Sequence, residues 1–528
     1  MGCIEGTDGV WDGAVPYVMA NPMAAPNVFA PRMRAVRLLG EEGMQKVVAA
    51  QEPGGSGDIY EGLNEDQKQA LKEATSMGFP PKAWFDYPYM EDGALMVLVP
   101  AVYQMFPTYF KDFWEKEGYE GADPESNEAR AHMKLVTTVE HLDYDYAEPE
   151  LSEEEKNTVD TSWLNTILGG EKLPHIYLKD AIPADTYTYH CRFKVLDGAC
   201  AGKEINISSI DGNMLELHPE NDGKHENPFK ELKPGDQVMI DNGDAIAMQC
   251  FHRHQLPDET YDVYDQFRNE DGSPKYTQLP MLVAPMTAIS GAGLMPTGNI
   301  HGKVIGICSM MDESACPWHG DWYRKAIGRC GIDEQDHFRL YYHDNSIHDD
   351  RAGYLDDPQN QVDYLGTLHQ ALLDVAAWCE KGIEPFDTMN YTYADGQITL
   401  PKGAKERGGM QPVVSAVVEN AAGQSDYDGK VTRAKVGENV CFKAVIEVPP
   451  KAGKVTHAAW DYEKTNDWSN DEVIEAVDDT TYKIEADHVF TKPGIYYPVI
   501  KVASNRHGDA GDIFTQCKNL DRVKVIVE

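Results

Sequence analysis

Asp312 and His348 are the residues whose setting best suits proton transfer. Each stands just beyond a stretch that reads as a fully buried strand, GKVIGICSMM over 302–311 and FRLYY over 338–342. Room for a helix between two such strands makes a βαβ unit and hence a parallel sheet. Side chains at the carboxyl ends of parallel strands converge on one crevice. In acyl transfer a histidine takes a proton from a nucleophile and returns it to the leaving group, while a carboxylate fixes its tautomer and stabilises the imidazolium. The order strand, acid, helix, strand, histidine supplies that pair. The competing reading is a surface Asp and a loop His that never meet, since both are common turn residues.

Other clusters are weaker. The loop HDNSIHDD over 343–350 is dense in potential ligands, oxygens for calcium and histidines for zinc or iron. With no HExxH or equivalent paired spacing elsewhere, no metal is expected, and no cofactor either. CFHRHQLP over 250–257 places His252 and His254 on one face of an expected strand with Arg253 opposite, where they either contact an ester or acid or form a satisfied structural pair. Trp318 and His319 follow the Asp312 turn; they either line a pocket for an aromatic acyl group or simply pack.

The elements that must position these residues change in texture along the chain. Residues 9–20 (GVWDGAVPYVMA) suit a buried strand bounded by glycine and Asn-Pro. Stretches 31–51, 64–76, 93–117 and 125–140 show apolar residues at three- and four-residue spacing, which predicts a helical lid over 25–186. A β-rich insert is expected over 187–289, with 237–251 extended throughout. Residues 362–381 carry a helical apolar stripe from Tyr364 to Cys379. Core segments 1–24 and 290–400 thus frame the insertions. From 410 to 528, short strands at even spacing predict an all-β sandwich, expected to fold by itself beyond a Gly- and Lys-rich link at 402–409. The fold class is α/β, with a partial parallel sheet, a helical and barrel-like lid insertion, and an immunoglobulin-like C-terminal sandwich.

With 528 residues, Lys+Arg 47 and Asp+Glu 87, the net charge is −40. Acidic residues spread along the whole chain, which argues against nucleic acid or an anionic membrane as partner. No run of 18 apolar residues occurs, so no membrane insertion is expected. The ten cysteines have no CxxC pair. They read as free thiols by default, although a disulfide such as Cys191–Cys200 would close a short loop in an oxidising compartment.

Taken together, GKVIGICSMMDESACPW (302–318), FRLYYHDNSIHD (338–349) and LLDVAAWCEKGIEP (372–385) resemble the C-terminal part of the tannase and feruloyl esterase family of α/β-hydrolases. In that family the acid follows the first of these strands and matches Asp312, and the histidine follows the second and matches His348. WDGAV at 11–15 is similar to the strand after the family's nucleophile helix. The module with AWDY (459–462) and FTKPGIYYPVIKV (490–502) resembles PKD-type immunoglobulin-like domains. The family's G-x-S-x-G nucleophile turn would lie upstream of Trp11. There the frame Gly2–Gly6 has Ile4 at the nucleophile place, and Ser56, in GGSG, lacks a preceding buried strand and reads as a turn. The resemblance implies a serine-type hydrolase of a small or aromatic ester whose nucleophile comes from a missing N-terminal segment or a partner chain. The alternatives are a non-catalytic or partner-dependent hydrolase-fold subunit and an extracellular binding protein.

Overall fold

The computed structural model describes the chain except for residues 22, 24–26, 91–94, 96–97, 146–171, 185, 218–226, 350–358 and 470. Residues 146–171 of the expected lid and Asp350 of the ligand-rich loop therefore lie outside the described residues. The protein is a mixed α/β chain with a parallel sheet, a closed six-strand barrel and C-terminal, mainly antiparallel strands. It divides into two compact units, Met1–Glu91 with Gln255–Lys275 and Pro280–Glu528, and Asp92–His254 with Tyr276–Leu279.

In the first unit the parallel sheet has Lys303–Ser309 at its centre, flanked by Gly13–Ala14 and Phe338–His343. The central strand is apolar along its length, as a strand covered on both faces must be, and Val304 to Ser309 run in register with Phe338 to His343. The helix Leu365–Lys381 packs on the first two strands, and Trp318–Arg329 on the last two. Close approach of the long helix depends on Gly13, where a Cβ would come within 2.8 Å of Cys379 Sγ and Val375 Cγ2. Gly382, at φ 65°, ends that helix in the left-handed conformation.

The strand expected over 9–20 is real but only two residues long, and its surroundings are not buried: Val10 is 64% and Trp11 51% exposed. Pro16 has no N–H to continue the ladder, although its carbonyl still accepts from Ile307. The far edge of the sheet is covered, because Met389 N–H donates to the Leu340 carbonyl and Leu340 N–H to Thr388 Oγ1. Among the described residues no strand pairs with the outer edge of Gly13–Ala14.

The expected lid over 25–186 does not form one body. Helices Phe29–Gln51 and Glu65–Ser76, the second started by an Asn64–Gln67 capping box, share a core with Met311 and Ile347 in the first unit. The later part belongs to the second unit, with short helices at Val99–Met105, Tyr109–Glu115 and Asn127–Ala131. Where helix was expected to run on to 140, Lys134–Asp143 is a strand. Its run Val136, Thr137, Thr138, Val139 is β-branched, which outweighs the helical spacing.

That strand joins His175–Leu178, Met214–Leu217, Glu204–Asp211, Arg192–Val195 and Gln237–Asp241 in the closed barrel, around Ile176, Phe193, Leu215, Phe229 and Ile240. The β-rich insert thus begins before 187. The extended stretch expected over 237–251 stops at Asp241, whose carboxylate accepts the Gly243 N–H; Gly243–Cys250 is then an α-helix.

The C-terminal strands form three small sheets: Val413–Asn420, Asn439–Glu447, Thr481–Val489 and Glu475–Ala476; Lys454–Asp461, Val499–Asn505 and Cys517–Arg522; and Val431–Ala434, Lys524–Val527 and Gly494–Tyr496. They enclose a core that includes Phe442, Trp460, Ile484 and Val502. They do not stand apart beyond a link, however. Val362 is buried with Val499 and Leu520, Arg506 forms a bidentate pair with Asp374, and Asn345 Nδ2 donates to Asn519 Oδ1 at 2.8 Å. All ten cysteines are free. Cys191 and Cys200 are buried thiols and not a disulfide, as are Cys250, Cys308, Cys316 and Cys517, whereas Cys3 and Cys330 are exposed.

Candidate active site

Past Ser309 the chain is held to the neighbouring loop by two backbone bonds, Met310 N–H to the His343 carbonyl and Met311 N–H to the Ser346 carbonyl. These bring the two strand ends side by side, and Asp312 follows, fully buried. Its Oδ1 accepts the backbone N–H groups of Ser314 (2.9 Å) and Ala315 (2.5 Å), which lock the carboxyl in place. His348 Nδ1–H donates to the same carboxyl, 3.0 Å from Oδ1 and 3.2 Å from Oδ2. This bond sets the tautomer and turns Nε2 away from the acid. The His348 side chain is 40% exposed, and among the described residues nothing bonds to Nε2.

Two residues that the sequence did not single out complete the pair. Glu313 Oε2 accepts the His348 backbone N–H at 3.2 Å, and Arg32 Nη1, from the first long helix, donates to the Glu313 carbonyl at 2.7 Å. Adjacency to Asp312 was the only signal for Glu313. Arg32 lies 281 residues away in sequence and had none.

The electrostatics favour a charged ring. Burial lowers the His348 pKa, but the hydrogen bond and charge of Asp312, with Glu313 and Asp349 adding to them, raise it to about 9. Burial raises the Glu313 pKa, as does the charge on Asp312, while Arg32 opposes both. His343, on the same loop, is buried and its pKa falls to about 4. Gln411 Nε2 lies 3.2 Å from its Nδ1. Among the described residues no group of three or more His, Cys, Asp and Glu side chains is placed to hold a metal ion.

The remaining candidates are placed elsewhere. His252 and His254 lie in a 3₁₀ turn, Phe251–His254, and not on a strand, because the preceding helix runs directly into it. Both are fully buried and belong to the second unit. There His254 Nδ1 donates to the Thr277 carbonyl (2.7 Å) and Nε2 lies 3.2 Å from Glu120, which also binds Arg253 at 2.9 Å. This is a closed structural cluster. Trp318 is 3% exposed, and its indole N–H donates to the Met77 carbonyl at 3.0 Å, so it packs in the core and does not line a pocket. His319 is also buried and held neutral, with a pKa near 3. Ser56 is exposed and accepts from the Asp58 N–H at 3.3 Å, as a turn residue does.

No family model and no curated protein matches the chain. Among solved structures it is similar to an esterase from Aspergillus oryzae, at 13% identity over 28% of this chain and 41% of that one, with a TM-score of 0.14. It is also similar to feruloyl esterase B from Aspergillus oryzae, at 10% identity over 77% of this chain and 61% of that one, with a TM-score of 0.20. An engineered protein matches at 11% identity over 47% and 43%, with a TM-score of 0.14. The chain thus spans 41% and 61% of the lengths of the two esterases, and at these TM-scores the likenesses carry no argument.

Proposed function

We propose that this chain carries the acid and base of a serine-type ester hydrolase of the tannase and feruloyl esterase kind, acting on a small or aromatic ester. The nucleophile is supplied by a segment outside the chain. The observation behind this reading is the 3.0 Å bond from His348 Nδ1 to a buried Asp312, with Nε2 uncommitted among the described residues. In the reaction a serine hydroxyl gives its proton to Nε2 as its oxygen attacks the ester carbonyl, and Nε2 returns that proton to the departing alcohol. In this reading, 1–24 and 290–400 are the hydrolase core and 410–528 an immunoglobulin-like module of PKD type. The open edge of Gly13–Ala14 is where a strand bearing the serine would add in parallel.

A second reading, a partner-dependent subunit without activity of its own, is favoured by the His348 pKa of about 9. A ring already protonated at neutral pH accepts nothing until its surroundings change. Turnover of p-nitrophenyl acetate separates these readings, measured on the chain alone, on the chain joined to or mixed with the serine-bearing segment, and on the His348→Ala form of each. The chain alone should be silent. Completed, it should turn over and lose about 10³-fold with His348→Ala. Turnover indifferent to His348 overturns the assignment, and turnover by the chain alone that needs both Ser56 and His348 overturns the external nucleophile.

A further inference from the structure

A cavity of about 560 Å³ opens in the first unit, between the end of the helix Phe29–Gln51, the loop after Phe338–His343 and the strand ends near Val413 and Arg522. Its volume lies in the range of small-molecule sites. Five cations line it: Lys82, Lys402, Arg407, Lys430 and Arg522. Among the described residues three carboxylates do so, Glu52, Asp344 and Asp521, which leaves a formal excess of two positive charges in a chain whose net charge is −40.

The pairing shows where the excess sits. Arg522 takes Glu52 at 2.8 Å and Lys430 takes Asp521 at 2.5 Å. Asp344 is flanked by two cations, Arg407 at 3.2 Å and Lys82 at 3.8 Å; burial alone would raise its pKa, and these two neighbours lower it below the usual value. Lys402 has no ion-pair partner among the described residues. The cations left over are thus Lys402 and one of the two beside Asp344. At physiological ionic strength charges beyond about 8 Å are largely screened, so the acidic surface elsewhere does not cancel this local excess.

The neutral lining narrows the ligand further. Gln51, Asn345 and Ser415 line the cavity, and Gln51 Oε1, Asn345 Oδ1 and Ser415 Oγ accept no hydrogen bond among the described residues. Amide oxygens accept hydroxyl protons but offer nothing to an oxyanion. Phe85, Val413 and Leu520 add apolar surface of the kind that meets the face of a sugar ring.

We propose that this cavity binds a sugar-sized ligand bearing both hydroxyls and an oxyanion, a sugar acid or a sugar phosphate. Lys82 and Lys402 meet the anion, and the Gln51 and Asn345 oxygens take the hydroxyls. The site does not depend on the acid–histidine pair.

The test is calorimetric titration of the full chain with glucuronate, glucose 6-phosphate and glucose. It is repeated on a Lys82→Gln, Lys402→Gln double variant, whose exposed positions leave the fold intact, as circular dichroism will verify. Saturable binding of at least one anion is expected, with glucose at least tenfold weaker, and the stronger anion identifies the source. The double variant should weaken that anion tenfold or more and leave glucose unchanged. Absence of saturable binding by either anion at millimolar concentration, glucose binding as tightly as both anions, or a folded double variant that binds as before would each overturn the proposal.

Discussion

A histidine with a pKa of about 9 is charged throughout the neutral range, so its proton contributes to stability as well as to chemistry. An unfolded histidine titrates near 6.5, so the folded state binds the proton more tightly. The resulting stabilisation is fully present below about pH 6.5 and disappears as pH rises through about 9. His348→Ala should therefore lower the urea midpoint more at about pH 6 than at about pH 10. A midpoint difference that grows with pH would contradict this. Asp312→Asn removes the main cause of the upward shift, and the His348 ring resonances should then titrate at lower pH. The pair itself was legible in the sequence, because each residue follows an uninterrupted apolar strand. Glu313 and Arg32 were not, since the Arg32 bond to the Glu313 carbonyl joins residues that only the tertiary fold brings together. Trp318 stayed open because an aromatic beside the Asp312 turn reads equally as pocket or core. Its N–H found the Met77 carbonyl, which decides for core.

Between elements, the long helix fits closely on the edge strand at Gly13. Gly13→Val would push side-chain atoms into Cys379, Val375 and the Lys303 carbonyl, and overpacking of this kind costs about 1–3 kcal/mol. Urea unfolding should register that loss, whereas Gly328→Ala, inside the helix Trp318–Arg329 with nothing within 4 Å of its added Cβ, should show none. The central strand and the helix Leu365–Lys381 were readable because period and length agree with burial. The barrel was only partly readable. Lys134–Asp143 carries both β-branched residues and a helix-like spacing, and closure with Gln237–Asp241, about a hundred residues on, settles which prevails. The helix Gly243–Cys250 was hidden because its short apolar run, Ala245 to Met248, fits a buried strand equally well.

Over the whole molecule, the C-terminal strands share their burial with the parallel sheet's helix. Arg506→Ala would leave Asp374, 7% exposed, with the Gln370 amide as its one remaining hydrogen-bond partner among the described residues, at a cost of about 3 kcal/mol. Cutting the chain after Pro401 would also expose Val362 and the helix face where Gly366 meets the Gln516 backbone. The remaining 1–401 piece should melt at lower temperature and less cooperatively than the full chain; an unchanged calorimetric transition for the parallel-sheet region would show that the strands are only appended. The free cysteines add a consequence of their own. Six are buried, three of them (Cys191, Cys200 and Cys250) in the second unit and three (Cys308, Cys316 and Cys517) in the first. A maleimide added to the native chain should stop at the accessible sulfurs. Under rising denaturant, each further set of three mass increments then times the opening of one unit, so the protein carries a two-channel clock of its own unfolding.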